Sequence, residues 1–177
     1  MNKNVTIVGA GLVGSLLSIY LARRGYKINI YERRADMRKT AISAGRSINL
    51  ALSDRGWRGL KGVGIDEDIK KIAIPMYGRY IHNRDGSTAY QPYGKDTQAI
   101  YSVSRAEINM KLMDLAEEKT GVKIHFNERC ANINRNTLTA DFENIENNTC
   151  SSVQSDLLFG ADGAFAASRL NMQLQND

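Results

Sequence analysis

VTIVGAGLVGSLLSIYLARRG, residues 5–25, carries Gly9, Gly11 and Gly14 at G-x-G-x-x-G spacing. Alone the spacing is weak, because the chain has 15 glycines among 177 residues. Its surroundings give it weight. Val5, Ile7 and Val8 form an apolar run too short for a helix. Leu12, Leu16, Ile19 and Tyr20 then recur at helical spacing, and Gly25 supplies a stop. From Lys27 to Glu32, Ile28 and Ile30 alternate with polar residues, as in a second strand. The stretch therefore predicts a βαβ unit with a right-handed crossover.

In such a unit each glycine has a task. Gly9 permits a tight turn, Gly11 lets the backbone approach a diphosphate, and Gly14 lets helix and strand pack closely. The unpaired N–H groups at the helix start face the anion. Glu32 closes the next strand near the expected separation of about 20 residues, where a carboxylate accepts hydrogen bonds from ribose hydroxyls. An acid there favours NAD or FAD over NADP. Arg33 and Arg34 blur that preference, since an arginine can accept a 2′-phosphate.

Composition narrows the class. The hydrophobic share of 42% and charged share of 24% are those of an ordinary globular chain. Net charge is +5, but the basic clusters Arg23-Arg24, Arg33-Arg34 and Arg38-Lys39 are short and not interleaved with aromatics. They read as solvated surface, not as a nucleic-acid platform. No apolar run approaches the roughly 18–20 residues of a membrane span, and the apolar run after Gly14 is not a signal peptide. Cys130, Cys150, His82 and His125 show no metal-ligand spacing, so the expectation is two reduced thiols in a cytoplasmic protein without a metal.

Downstream, residues 33–52 lack periodicity and read as a long structured loop entering a helix. Asp54–Lys61 and Asp66–Lys71 read as short helices. Tyr77–Tyr93 reads as a hairpin turned by Arg84-Asp85-Gly86. Ile100–Val103 is a short strand, and Ser104-Arg105-Ala106-Glu107 is a capping-box pattern opening a helix that stops at Gly121. Strands follow at Val122–Phe126, 129–134, 137–143 and Asp156–Phe159, with a polar loop at Asn144–Thr149. The pattern is α/β: a Rossmann-like sheet with an inserted antiparallel hairpin region.

Three further stretches carry a resemblance: GRSINLALS (45–53), Ser104-Arg105, and GADGAFAASR (160–169). With the first glycine motif, they resemble the aromatic-ring flavoprotein monooxygenases of the p-hydroxybenzoate hydroxylase type. AGRSINLALSDRG, IPMYGRYIH, PYGK and IYSVSRAEINMKLMDLAEE are similar to the branch of that family acting on L-kynurenine, over about residues 5–169.

The resemblance implies a set of roles. Gly9, Gly11, Val13 and Gly14 form the diphosphate turn of FAD, and Tyr31, Glu32, Arg33 and Arg34 surround its adenosine. Ala51 lies along the cofactor, Arg105 reaches it, Cys130 contacts the adenine region through its backbone, and Asp162 is the acid of an Asp-Gly motif. Arg79 and Tyr93 hold the substrate's amino-acid carboxylate. The implied reaction is NADPH- and O₂-dependent ring hydroxylation of L-kynurenine, with no catalytic triad and no metal.

The family continues well beyond the length of this chain. The expectation is therefore that residues 1–177 are the N-terminal part of the FAD-binding domain, with residues 77–103 contributing to the substrate-facing β region. The C-terminal half would be absent, and the chain alone would bind FAD weakly and turn over poorly. Two rival readings are an NAD-dependent Rossmann dehydrogenase and a non-catalytic basic binding module. The first gives no reason for GRSINLALS, and the second treats Glu32 as incidental.

Overall fold

The computed structural model describes residues 3–39, 48–95 and 98–174. The chain divides into two compact units, Met1–Gly45 with Asn109–Asp177, and Arg46–Ile108.

The first unit opens as the sequence predicts. Strand β1 (Asn4–Val8) leads through the glycine turn into helix α1 (Leu12–Ala22), and β2 (Lys27–Tyr31) returns parallel to β1. Val5, Ile7 and Val8 are buried along with Thr6, so both faces of β1 are covered, as befits an inner strand of a parallel sheet. Gly25 takes φ 85° in the turn after α1, a conformation that costs a side chain energy.

The second unit holds β3 (Asn49–Leu52), α2 (Asp54–Lys61), α3 (Asp66–Lys70), β4 (Ile74–Met76), β5 (Gly78–His82), β6 (Thr88–Pro92) and β7 (Ile100–Ser104). Strands β3, β7 and β4 form an antiparallel sheet in that order. The expected unbroken loop across residues 33–52 is corrected here. Its last four residues are strand β3, because Leu50 and Leu52 pair with Val103 and Tyr101 of β7. Residues 40–47 lie outside the described residues. β5 and β6 form the expected hairpin, and Gly86 (φ 84°) turns it while the Asp85 carboxylate accepts from Ser87 N–H and Oγ–H.

Helix α4 (Arg105–Thr120) starts where the capping box predicts: Glu107 N–H donates to Ser104 Oγ at 3.4 Å. It ends at Gly121 (φ 67°), whose N–H donates to the Glu117 carbonyl. Leu112, Met113, Leu115 and Ala116 are buried along one stripe. Then come β8 (Lys123–His125), β9 (Glu128–Asn134), β10 (Thr139–Asn144), β11 (Cys150–Gln154), β12 (Leu157–Gly160) and helix α5 (Ala167–Leu174).

The first unit's main sheet has the order β12-β1-β2-β8, all parallel. β9, β10 and β11 form an antiparallel meander that packs on it through Val8, Cys130, Ile133, Ala140 and Phe142. Strands β4 and β11 were not expected from sequence. No described helix is long and apolar enough to cross a membrane.

Candidate functional site

The glycine turn is built by three chain segments. Gly9 sits at φ 101°, and a Cβ there would lie 2.7 Å from the Ala161 carbonyl oxygen and 2.9 Å from Asp162 Cα. The turn therefore rests directly on the segment leaving β12. A Cβ on Gly14 would come 2.0 Å from the Gly9 oxygen, so α1 seats on the turn only because that side chain is missing. Gly11 differs. It is the N-cap residue of α1, in extended conformation, and a Cβ on it would meet nothing within 4 Å. The first helical bond runs from Ser15 N–H to the Gly11 carbonyl. The N–H groups of Leu12, Val13 and Gly14 precede it and have no partner within the helix. Val13 is exposed. This open, donor-lined helix start fits an anion.

Glu32 faces the turn. Its carboxylate is buried, with Oε2 accepting from Ala10 N–H at 2.9 Å. Oε1 accepts from Arg34 N–H at 3.0 Å and Arg34 Nε at 2.8 Å. Burial raises the carboxyl's pKa, but these hydrogen bonds and the Arg34 charge outweigh it, and the net shift is downward. Three of its roughly four lone-pair positions are used, leaving one on Oε2 for a hydroxyl donor. The segment after β2 is itself pinned: Glu32 N–H donates to the His125 carbonyl, and the Glu32 and Arg34 carbonyls accept from Glu128 and Asn127. Arg33 is exposed beside it.

Other candidates in this unit also have partners within the protein. The Tyr31 ring stacks with His125 at 4.6 Å and with Phe142 at 4.0 Å between centroids. Burial, and then the Glu128 charge, raises its pKa. The Asp162 carboxylate accepts from Ser168 N–H at 3.0 Å and Ser168 Oγ–H at 2.5 Å, capping α5, and only its backbone abuts Gly9. Cys130 points into the core, and burial first, then Asp162 and Asp141, pushes its thiol up to about 11.

Sequence reasoning missed Asn109. Its Nδ2 donates to the Ala10 carbonyl at 3.2 Å, from a helix position 99 residues away. The signal was available: a carboxamide stands in α4 between buried Ile108 and Leu112.

Within the second unit, β5 and β6 pair Arg79 with Gln91, and Tyr93 N–H donates to the Tyr77 carbonyl. Alternation then puts Arg79, Gln91 and Tyr93 on one face of the hairpin. Arg79 Nε and Nη2 both grip Gln91 Oε1, at 3.0 and 2.8 Å. Ala51 is exposed on β3 opposite Ser102. Arg105 N–H donates to the Ile48 carbonyl, and its side chain is exposed, without an ion pair among the described residues. Gly45, Arg46 and Ser47 of the GRSINLALS string lie outside the described residues.

The family model for the FAD binding domain matches residues 2–176. The chain belongs to the FAD binding domain family. Among curated FAD-domain relatives, kynurenine 3-monooxygenase of Christiangramia forsetii is 42% identical over 98% of this chain, and that of Myxococcus xanthus 44% over 98%. The chain spans 38% of the length of each. Among solved structures, the flavin-dependent monooxygenase PieE, in complex with FAD and substrate, superposes with a TM-score of 0.79. It is 18% identical, and the match covers 98% of this chain and 32% of that one. p-Nitrophenol 4-monooxygenase PnpA of Pseudomonas putida gives 0.78 at 18% identity, covering 97% and 43%. These likenesses show a shared fold. In this FAD-domain chain the turn of Gly9, Gly11 and Gly14, with Glu32 facing it, has open space at Gly11 large enough for a Cβ to meet nothing within 4 Å.

Proposed function

We propose that this chain forms the dinucleotide-holding part of an enzyme that hydroxylates L-kynurenine to 3-hydroxykynurenine with NADPH and O₂. The observation that carries the reading is a relative of that name matching 98% of the chain at 42% identity, together with a Glu32 that faces an open glycine turn. Bound FAD would supply the oxygen-activating chemistry. The chain's own residues do the rest. The N–H groups at the start of α1 receive the diphosphate, and the free acceptor position on Glu32 takes a ribose hydroxyl. Tyr31 and Cys130 contribute through their backbones and through packing, and Arg33, Arg34, Ala51 and Arg105 line the cofactor's length.

Arg79 and Tyr93 hold the substrate's carboxylate. The two N–H groups with which Arg79 grips a single Gln91 oxygen are the pair that a carboxylate takes two-pronged. Releasing Gln91 to bind substrate exchanges one hydrogen-bonded acceptor for a charged one.

Titration of the purified chain with FAD, followed by flavin absorbance and fluorescence, tests the cofactor half. Weak but saturable binding is expected, with little kynurenine-dependent NADPH consumption by this chain alone. An unchanged flavin spectrum would remove the reading. The substrate half is tested in a kynurenine hydroxylase of family length carrying this chain. There Arg79→Ala should raise KM for kynurenine by roughly tenfold or more, the scale of a lost charged hydrogen-bonded pair, while leaving FAD affinity unchanged.

A further inference from the structure

Ala10 lies between two glycines, and the peptide it shares with Gly11 is the one whose N–H opens the anion-facing helix start. Glycine on both sides leaves that peptide little intrinsic reason to hold one orientation. Buried side chains hold it instead. The Ala10 carbonyl accepts from Asn109 Nδ2 at 3.2 Å and from Ser15 Oγ at 3.3 Å, while its N–H donates to Glu32. In a trans peptide the C=O and the following N–H point in opposite directions, and the described chain has no cis bond. Pulling the Ala10 oxygen toward Asn109 and Ser15 therefore turns the Gly11 N–H away from them, at a residue where a Cβ would meet nothing within 4 Å.

Asn109 makes this anchor at a cost. It is 7% exposed, and its carboxamide oxygen has no hydrogen-bond partner among the described residues. A buried acceptor left unpaired is expensive, and asparagine is a poor residue for a helix interior. Leucine would fill the same stripe beside Leu112 and Met113 without either penalty. Its Nδ2 also lies 3.4 Å from Met37 Sδ, so the same side chain ties the turn to the segment following Glu32. Packing alone does not explain the choice of residue.

We infer that Asn109 is a positioning residue for the dinucleotide: it orients the Ala10–Gly11 peptide so that the Gly11 N–H faces the diphosphate. The inference rests on the dinucleotide reading of the glycine turn. It acts on phosphate contact and leaves adenosine recognition alone.

The test compares FAD, ADP and adenosine binding to wild type, Asn109→Leu and Asn109→Asp by calorimetry. Asparagine-to-leucine removes the donor at similar volume, and aspartate sets an acceptor against the Ala10 oxygen. Both variants should weaken FAD and ADP by roughly tenfold, the scale of one lost hydrogen bond to a charged group, and leave adenosine affinity unchanged. A loss shared equally by all three ligands marks a merely structural residue and overturns the inference, as does an unchanged ADP affinity. If the variants fail to fold, the wild type decides. ADP, and not adenosine, should shift the Gly11 amide resonance, and a Gly11 amide indifferent to ADP overturns the inference. Wild type that binds neither FAD nor ADP removes the dinucleotide reading itself, a separate outcome.

Discussion

Gly11 and Gly14 stand three residues apart and answer to different demands. A Cβ on Gly14 collides with the Gly9 oxygen at 2.0 Å, so Gly14→Ala forces the helix off the turn. Urea denaturation should show a loss of roughly 1–3 kcal/mol, typical of overpacking. Gly11 has φ −75° and open space around it, so Gly11→Ala should leave the urea midpoint unchanged and weaken FAD binding. Equal stability losses at the two positions would contradict this division. Glu32 adds a pH dependence. Its folded carboxyl lies below the ordinary value because hydrogen bonds from Arg34 and Ala10 overcome burial. A lowered folded value contributes stability that is complete above the unfolded value and is lost as pH falls through the folded one. The contribution should fade below about pH 4, and Glu32→Gln should flatten that part of an acid-unfolding profile. Asp36, lowered chiefly by its hydrogen bond from Arg38, acts in the same sense and remains in the variant.

Helix α4 is an organising element of the first unit. Besides Asn109, it presents Asp114 and Glu117 to Arg38, which reaches them at 2.9 and 2.6 Å while also holding Asp36 at 2.8 Å. The guanidinium lies over the Phe126 ring at 5.5 Å. These partners raise its pKa further, so it stays charged at any working pH. The segment between β2 and residue 39 is thus fastened to α4 just beyond Glu32. Arg38→Met should cost roughly 1–3 kcal/mol in denaturant melts, the scale of lost charged hydrogen bonds. A neutral result would mean the segment is held by packing alone. Elements differ in how plainly the sequence shows them. α1, α4 and the β5–β6 hairpin carry their own periodicity, cap or turn residues. β11, with the sequence CSSVQ, has no alternation and is mostly exposed. It is a strand because β10 pairs with it from Thr139 to Glu143. β4 contains Pro75, which a sequence reading demotes, and it is tolerated at a sheet edge beside β7.

At the scale of the molecule, the described residues form a parallel sheet with its meander, and a second unit of small antiparallel sheets. The two thiols report on the first of these. Cys150 is exposed on β11, while Cys130 is buried in the core that joins meander to sheet, with its pKa pushed to about 11. At about pH 8, an Ellman titration of the native chain should find one thiol reacting promptly and the second only on unfolding. Two prompt thiols would mean that this core is not formed.

Residues 5–32 determined the βαβ unit, its glycine turn and the acid that faces the turn, because those features depend on backbone freedom and spacing within one short stretch. The longer strings 45–53 and 160–169 carried the family resemblance. Tertiary structure alone decided which partners the distant side chains find. It set the Asp162 carboxylate on Ser168 at the start of α5, stacked Tyr31 with His125 and Phe142, and brought Asn109 to Ala10 across 99 residues. Such pairings arise when distant segments pack, and no local pattern encodes the direction in which a buried carbonyl will find its donor.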